Sequence, residues 1–152
     1  TLPVVPGMEG CHWPFRKARP EDRPRVLRLL LEGRSVKAKD AVGWLVDFAG
    51  PLEAALQAAW QVASGGELGI PRRKLEEGAL PDVTGGADGL APAGNAAGET
   101  ARAAIVATSR ASCGGPLAEA MDVQSRHSAG FMVSSACRRG RIGSEAAKTL
   151  AV

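Results

Sequence analysis

The chain contains no tyrosine, and three tryptophans and three phenylalanines bring its aromatic content to only 4% of 152 residues. Aromatic side chains usually supply a large share of buried core area. A body built from this sequence must instead close on leucine, valine and alanine, and it is expected to bury part of its surface against something else. Cysteine is also scarce. Cys11, Cys113 and Cys137 form an odd, widely spaced set, which excludes a disulfide framework and any paired metal-ligand spacing. With His12 and His127 as the two histidines, a histidine-rich metal site is not expected. No run of about 18 apolar residues occurs, and no signal-peptide pattern opens the chain. Neither sign of charge dominates, because 19 basic and 16 acidic residues leave a formal charge of +3. That balance is no nucleic-acid footprint. These absences together describe a protein of the reducing cytoplasm with no nucleic-acid or membrane partner.

What is present is ordinary for a globular chain: 45% hydrophobic residues, enough for one domain with a modest core. The opening Thr1–Gly7 run, punctuated by Pro3 and Pro6, reads as an edge strand or extended segment that turns at Gly7 and Gly10. From Glu21 the pattern is helical, with Pro24 in a first turn, Val26, Leu27, Leu30 and Leu31 at helical spacing, and Gly33 as the stop. Ser35 is placed to cap a short helix through Ala41. Trp44 to Phe48 reads as a compact strand. Leu52, Ala55, Leu56, Ala59, Trp60 and Ala63 share one face of a second helix, opened by Pro51 and closed by Gly65 and Gly66.

The composition then changes. Gly85 to Asn95 is too rich in glycine and too poor in large side chains to order itself, which reads as a flexible loop, a linker or a disordered segment. Thr100 to Ser112 resumes a helical pattern, Pro116 opens an amphipathic helix through Phe131, and a last short helix is expected from Ser144 to Leu150. The chain therefore divides into 1–66, a linking stretch 67–98 and a helical region 99–152. Two basic spots, Arg16-Lys17-Arg19 and Arg138-Arg139-Arg141, read as solvated faces, with phosphate contact as the alternative.

One ordered series is more specific than any single motif. An apolar segment leads into Pro6-Gly7-Met8-Glu9-Gly10, a leucine-rich helix follows, then Glu32-Gly33-Arg34-Ser35-Val36-Lys37-Ala38, Ala41, and Leu45-Val46-Asp47. This series resembles the middle of crotonase-superfamily proteins, the enoyl-CoA hydratases and isomerases, clearly over residues 2–64 and only generally beyond residue 99. The resemblance implies the C-terminal half of an α/β crotonase-like (ClpP/crotonase spiral) fold, here mainly helical with one or two short strands. It also implies action on an acyl-CoA thioester in fatty acid metabolism, with coenzyme A as part of the substrate and no other cofactor. A homotrimer or hexamer assembled through the C-terminal helices would follow.

In that family the oxyanion hole and both proton-handling glutamates lie upstream of the matched segment, so the resemblance implies an N-terminal half or a partner chain that supplies them. An enolate forming on a thioester needs preorganised donors, and an attacking water needs a carboxylate. Within this chain the resemblance assigns the loop after Pro6 to the acyl group. Gly7, Glu9 and His12 are the catalytic candidates, and Pro6, Met8, Gly10 and Trp13 the substrate-binding ones. Each also has a plainer reading: Gly7 as a tight turn after a proline, Glu9 and His12 as turn caps or solvent-facing groups. Cys11 lacks a recognisable base and orienting partner for nucleophilic work, and His127 reads as a structural or interface histidine. The reading from a different class is a non-catalytic helical assembly subunit that completes a partner chain.

Overall fold

The computed structural model describes residues 5–6, 10–67, 69, 72–91 and 95–137. Within them the chain is helical: α1 (Trp13–Lys17), α2 (Arg23–Glu32), α3 (Ala38–Ala41), α4 (Leu52–Ala63), α5 (Ala96–Ala111) and α6 (Leu117–Met132), with short 3-10 turns at Pro20–Asp22 and Ala87–Gly89. Of the expected edge strand or extended segment at Thr1–Gly7, only Val5 and Pro6 are described, and they form no strand; the expected helix at 144–150 lies outside the described residues.

Proline and glycine set the helix limits by familiar means. Pro24 sits in the first turn of α2, where its missing N–H would have had no helical partner in any case. The helix ends at Gly33, which takes the left-handed conformation (φ 61°) and donates its N–H to the Leu29 carbonyl. Helix α5 begins at Ala96, four residues ahead of the expected start. The Asn95 side chain accepts the Gly98 N–H at 2.8 Å and makes an N-cap inside the glycine-rich stretch. Ser35 does not cap α3, whose N-cap is Lys37 without a side-chain bond.

Trp44 to Phe48 is no strand. Gly43 has φ 87°, and the N–H groups of Leu45 and Val46 both donate to the Ala41 carbonyl, leaving a single isolated bridge between Val42 and Val46. The anchor of this turn is Trp44. Its ring is buried, its Nε1 donates to the Asp40 carbonyl at 2.7 Å, and the Arg25 guanidinium stacks on it 3.9 Å from the ring centroid. The apolar run that suggested a ladder is wound around that one side chain instead.

Helices α5 and α6, joined by a short turn, make the broadest helix–helix contact, and α2 lies against α5. The core gathers Val5, Phe15, Val26, Leu27, Leu31, Trp44 and Ile105. Leu80 and Val83 join it from a segment without helix or strand. Residues 76–80 are tied across the body: Glu76 N–H donates to Arg16 O, Leu80 N–H to Cys113 O, and Leu117 N–H to Glu77 O, all at 2.8–2.9 Å. The stretch anticipated as a link is thus a packed strap, and even Ala87 and Leu90 rest against the core. Among the helices of ten or more residues, α4 differs. Ala58 is its one buried residue, and it has no helix contact comparable with those above.

Candidate functional site

The candidate loop is held by its two ends. Val5 is buried, the Pro6 carbonyl accepts from Gln124 Nε2 of α6 at 3.5 Å, and the Cys11 carbonyl accepts from Ser109 Oγ of α5 at 3.3 Å. Gly7, Met8 and Glu9 lie outside the described residues. Gly10 is half-buried and Trp13 is 42% exposed, so among the described binding candidates Trp13 presents the large surface. Cys11 is fully buried, and desolvation pushes its thiol up to about 12, a neutral group unsuited to attack.

His12 faces inward. Its relative exposure is 0%, and its Nε2 accepts from Arg16 Nε one helical turn later. Burial, and then the Arg16 charge, push the imidazole down to about 4, which keeps it neutral. Nδ1 is buried and meets no hydrogen-bond partner among the described residues.

Arg16, read from the sequence as part of a solvated basic face, is 1% exposed. Its Nη1 donates to the Glu76 carbonyl at 2.7 Å and to the Gly78 carbonyl, and its Nη2 to the Gly115 carbonyl at 2.9 Å. No carboxylate takes part. Charge-assisted bonds to three peptide carbonyls and one imidazole use four of the five N–H donors of the planar fork, so a single cation joins α1, the strap and the turn before α6. The only sequence signal for it was the turn-compatible Trp13-Pro14-Phe15-Arg16 run, which places Arg16 one helical turn from His12.

A second polar cluster surrounds Asp47. Its carboxylate lies 2.8 Å from Arg73 Nε and 3.7 Å from Lys17 Nζ. Burial raises the pKa of this group, but the Arg73 hydrogen bond and charge, assisted by Lys17, outweigh that and hold it below the usual carboxylate value. Asp47 and Arg72 also flank a shallow open groove of about 400 Å³, lined by Phe48 and by Ala55, Ala58, Ala59 and Val62 of α4. On the adjoining face of α4, Leu52, Leu56 and Trp60 are 69%, 60% and 72% exposed. Spaced at i, i+4 and i+8, they form one uncovered ridge.

His127 is exposed, with Nδ1 3.4 Å from Thr108 Oγ1, and links α6 to α5. Among the described residues no group of three or more His, Cys, Asp or Glu side chains could hold a metal ion, and no helix is long and apolar enough to cross a membrane. Comparison with protein-family models, with curated proteins and with solved structures finds no match for this chain.

Proposed function

We propose that this chain is the C-terminal part of an acyl-CoA thioester enzyme of the crotonase type, hydrating or isomerising an enoyl group with an oxyanion hole supplied from outside the chain. The observation that carries the reading is the grip of α5 and α6 on both ends of the proline-glycine loop, through Gln124 to Pro6 and Ser109 to Cys11. Such a grip anchors Pro6 and Cys11, the residues that bracket the loop the Pro6-Gly7-Met8-Glu9-Gly10 resemblance aims at the acyl group, and positioning is what acid–base chemistry on a bound thioester requires. Glu9 is the carboxylate of that sequence, and Trp13, four residues later, offers an exposed ring. Gly7 would lend a backbone amide, with Met8 and Gly10 shaping the acyl surface. Three buried, unpaired cysteines favour a reducing, cytoplasmic setting.

The test is turnover of short and medium enoyl thioesters by the native assembly that contains this chain, with and without Glu9→Gln. Turnover that falls by about 10²- to 10⁴-fold in the variant, at unchanged thermal stability, is the expected result. Absence of both turnover and acyl-CoA binding in the intact assembly removes the reading.

The uncovered ridge of α4 favours the second reading, a non-catalytic subunit that completes a partner's core. In that case the assembly forms stoichiometrically, depends on Leu56 and Trp60, and has no activity on any thioester.

A further inference from the structure

His12 and Arg16 face each other where neither side chain reaches solvent. Because Arg16 Nε–H donates to His12 Nε2, the lone pair of that nitrogen is in use and the proton of the neutral ring sits on Nδ1. A second proton can enter the ring only at Nε2. Proton and guanidinium therefore compete for one lone pair. We infer that His12 is an acid-operated latch: protonated at Nε2 it expels the Arg16 Nε–H, and the seam joining α1 to the 76–80 strap and the turn before α6 loosens. The latch operates whatever reaction the chain serves.

The surroundings offer the protonated ring no paired anion. The ionisable groups acting on the pair are Arg23 from α2, Glu76 from the strap and Cys113 from the turn after α5, and Cys11 adjoins the ring in sequence. Arg23 adds a like charge, and burial keeps both thiols protonated. Glu76 gives Arg16 its peptide carbonyl, and its exposed carboxylate favours the Arg16 cation through solvent without pairing with either side chain. Two adjacent cations are then left in a desolvated place, a costly arrangement without a paired anion.

The sign of the effect follows from the two proton affinities. In the closed seam the ring stays neutral down to about pH 4, whereas an imidazole released to water takes its proton near 6.5. Between those limits the open form binds the extra proton and the closed form does not, so opening grows as pH falls. At pH 5 the gain over pH 7.5 is about 30-fold.

Hydrogen exchange reads this directly, corrected for the intrinsic pH dependence of amide chemistry. The reporters are the N–H groups of Glu76, Leu80 and Leu117, whose partners lie across the seam. In the unaltered protein their protection should fall about 30-fold between pH 7.5 and 5 while amides in the middle of α5 keep theirs. His12→Gln retains an acceptor for Arg16 and cannot be protonated, so its seam should be flat over the same range. Equal pH dependence in both proteins, or a loss spread evenly through α5 and α6, overturns the latch. Ring-nitrogen chemical shifts of His12 in the unaltered protein give a second measure that needs no substitution. An Nδ1–H tautomer at pH 7.5 that stays the main form of the ring down to about pH 4 supports the latch, and an Nε2–H tautomer overturns it.

Discussion

The Arg73 guanidinium is shared between the Asp47 carboxylate and the Trp44 carbonyl, so one side chain of the strap pins both the turn after α3 and the approach to α4. Arg73 is 8% exposed at its side chain and Asp47 17%, so water screens the pair only weakly.

Replacing Asp47 by asparagine keeps the shape and removes the charge. Because the folded carboxyl is held below its ordinary value, its contribution is present above the unfolded pKa near 4 and disappears as pH falls through the folded one. Asp47→Asn is expected to cost about 1–3 kcal/mol at pH 7 by urea unfolding, and the difference from the unaltered protein should shrink below pH 4. An undiminished difference at pH 2.5 would show that packing, not charge, is responsible.

Arg16→Met preserves the stem of the side chain and discards the fork. The carbonyls of Glu76, Gly78 and Gly115 then lose their donor in a buried site, and a loss of about 3–5 kcal/mol is expected. Arg16→Lys, with a point charge in place of the planar fork, should recover only part of it. Full recovery by lysine in equilibrium unfolding would refute the role given to guanidinium geometry.

Leu56 and Trp60 invite the opposite expectation. Both face outward, so Leu56→Lys combined with Trp60→Lys should change the stability of the chain by no more than about 0.5 kcal/mol per site. Sedimentation at micromolar concentration should nevertheless separate the two proteins, the unaltered chain associating and the variant remaining monomeric. A large loss of stability in the variant would mean that α4 packs inward.

Asn95→Ala removes the side-chain acceptor at the start of α5, the helix that supplies Ala101, Ile105, Thr108 and Ser109 to the interior. The expected cost is about 1 kcal/mol in thermal or urea unfolding, with exchange accelerated first at the Gly98 amide.

The features legible in the sequence are those written in periodicity. The leucine spacing of α2, the Leu52–Trp60 face of α4 and the Pro116 opening of α6 all follow from residues repeating at helical intervals between proline and glycine stops. Features decided by one long-range contact were not legible. Trp44 turns a strand-like run into a coil because Asp40 and Arg25 capture its ring, and Leu80 and Val83 bury a stretch whose composition alone suggests a link. Arg16 is the clearest case. Its partners are four residues before it and 60, 62 and 99 residues after it, and nothing local distinguishes it from the exposed Arg19. For the site, the sequence singled out the proline-glycine loop and His12, but not Gln124 and Ser109, which hold the loop from residues far along the chain.

The strap between Arg16 and Cys113 has the appearance of coil and the obligations of a strand. Glu76, Glu77, Gly78 and Leu80 each have a fixed backbone appointment, while Gly85 and Gly86, a few residues later, form a turn whose bonds stay local. Length variation should therefore be tolerated very unequally along what looks like one loop. A single residue inserted between Gly78 and Leu80 would pull Leu80 out of register with Cys113 and strand a carbonyl of the Arg16 cluster. The same residue placed between Gly85 and Gly86 would lengthen a surface turn at little cost.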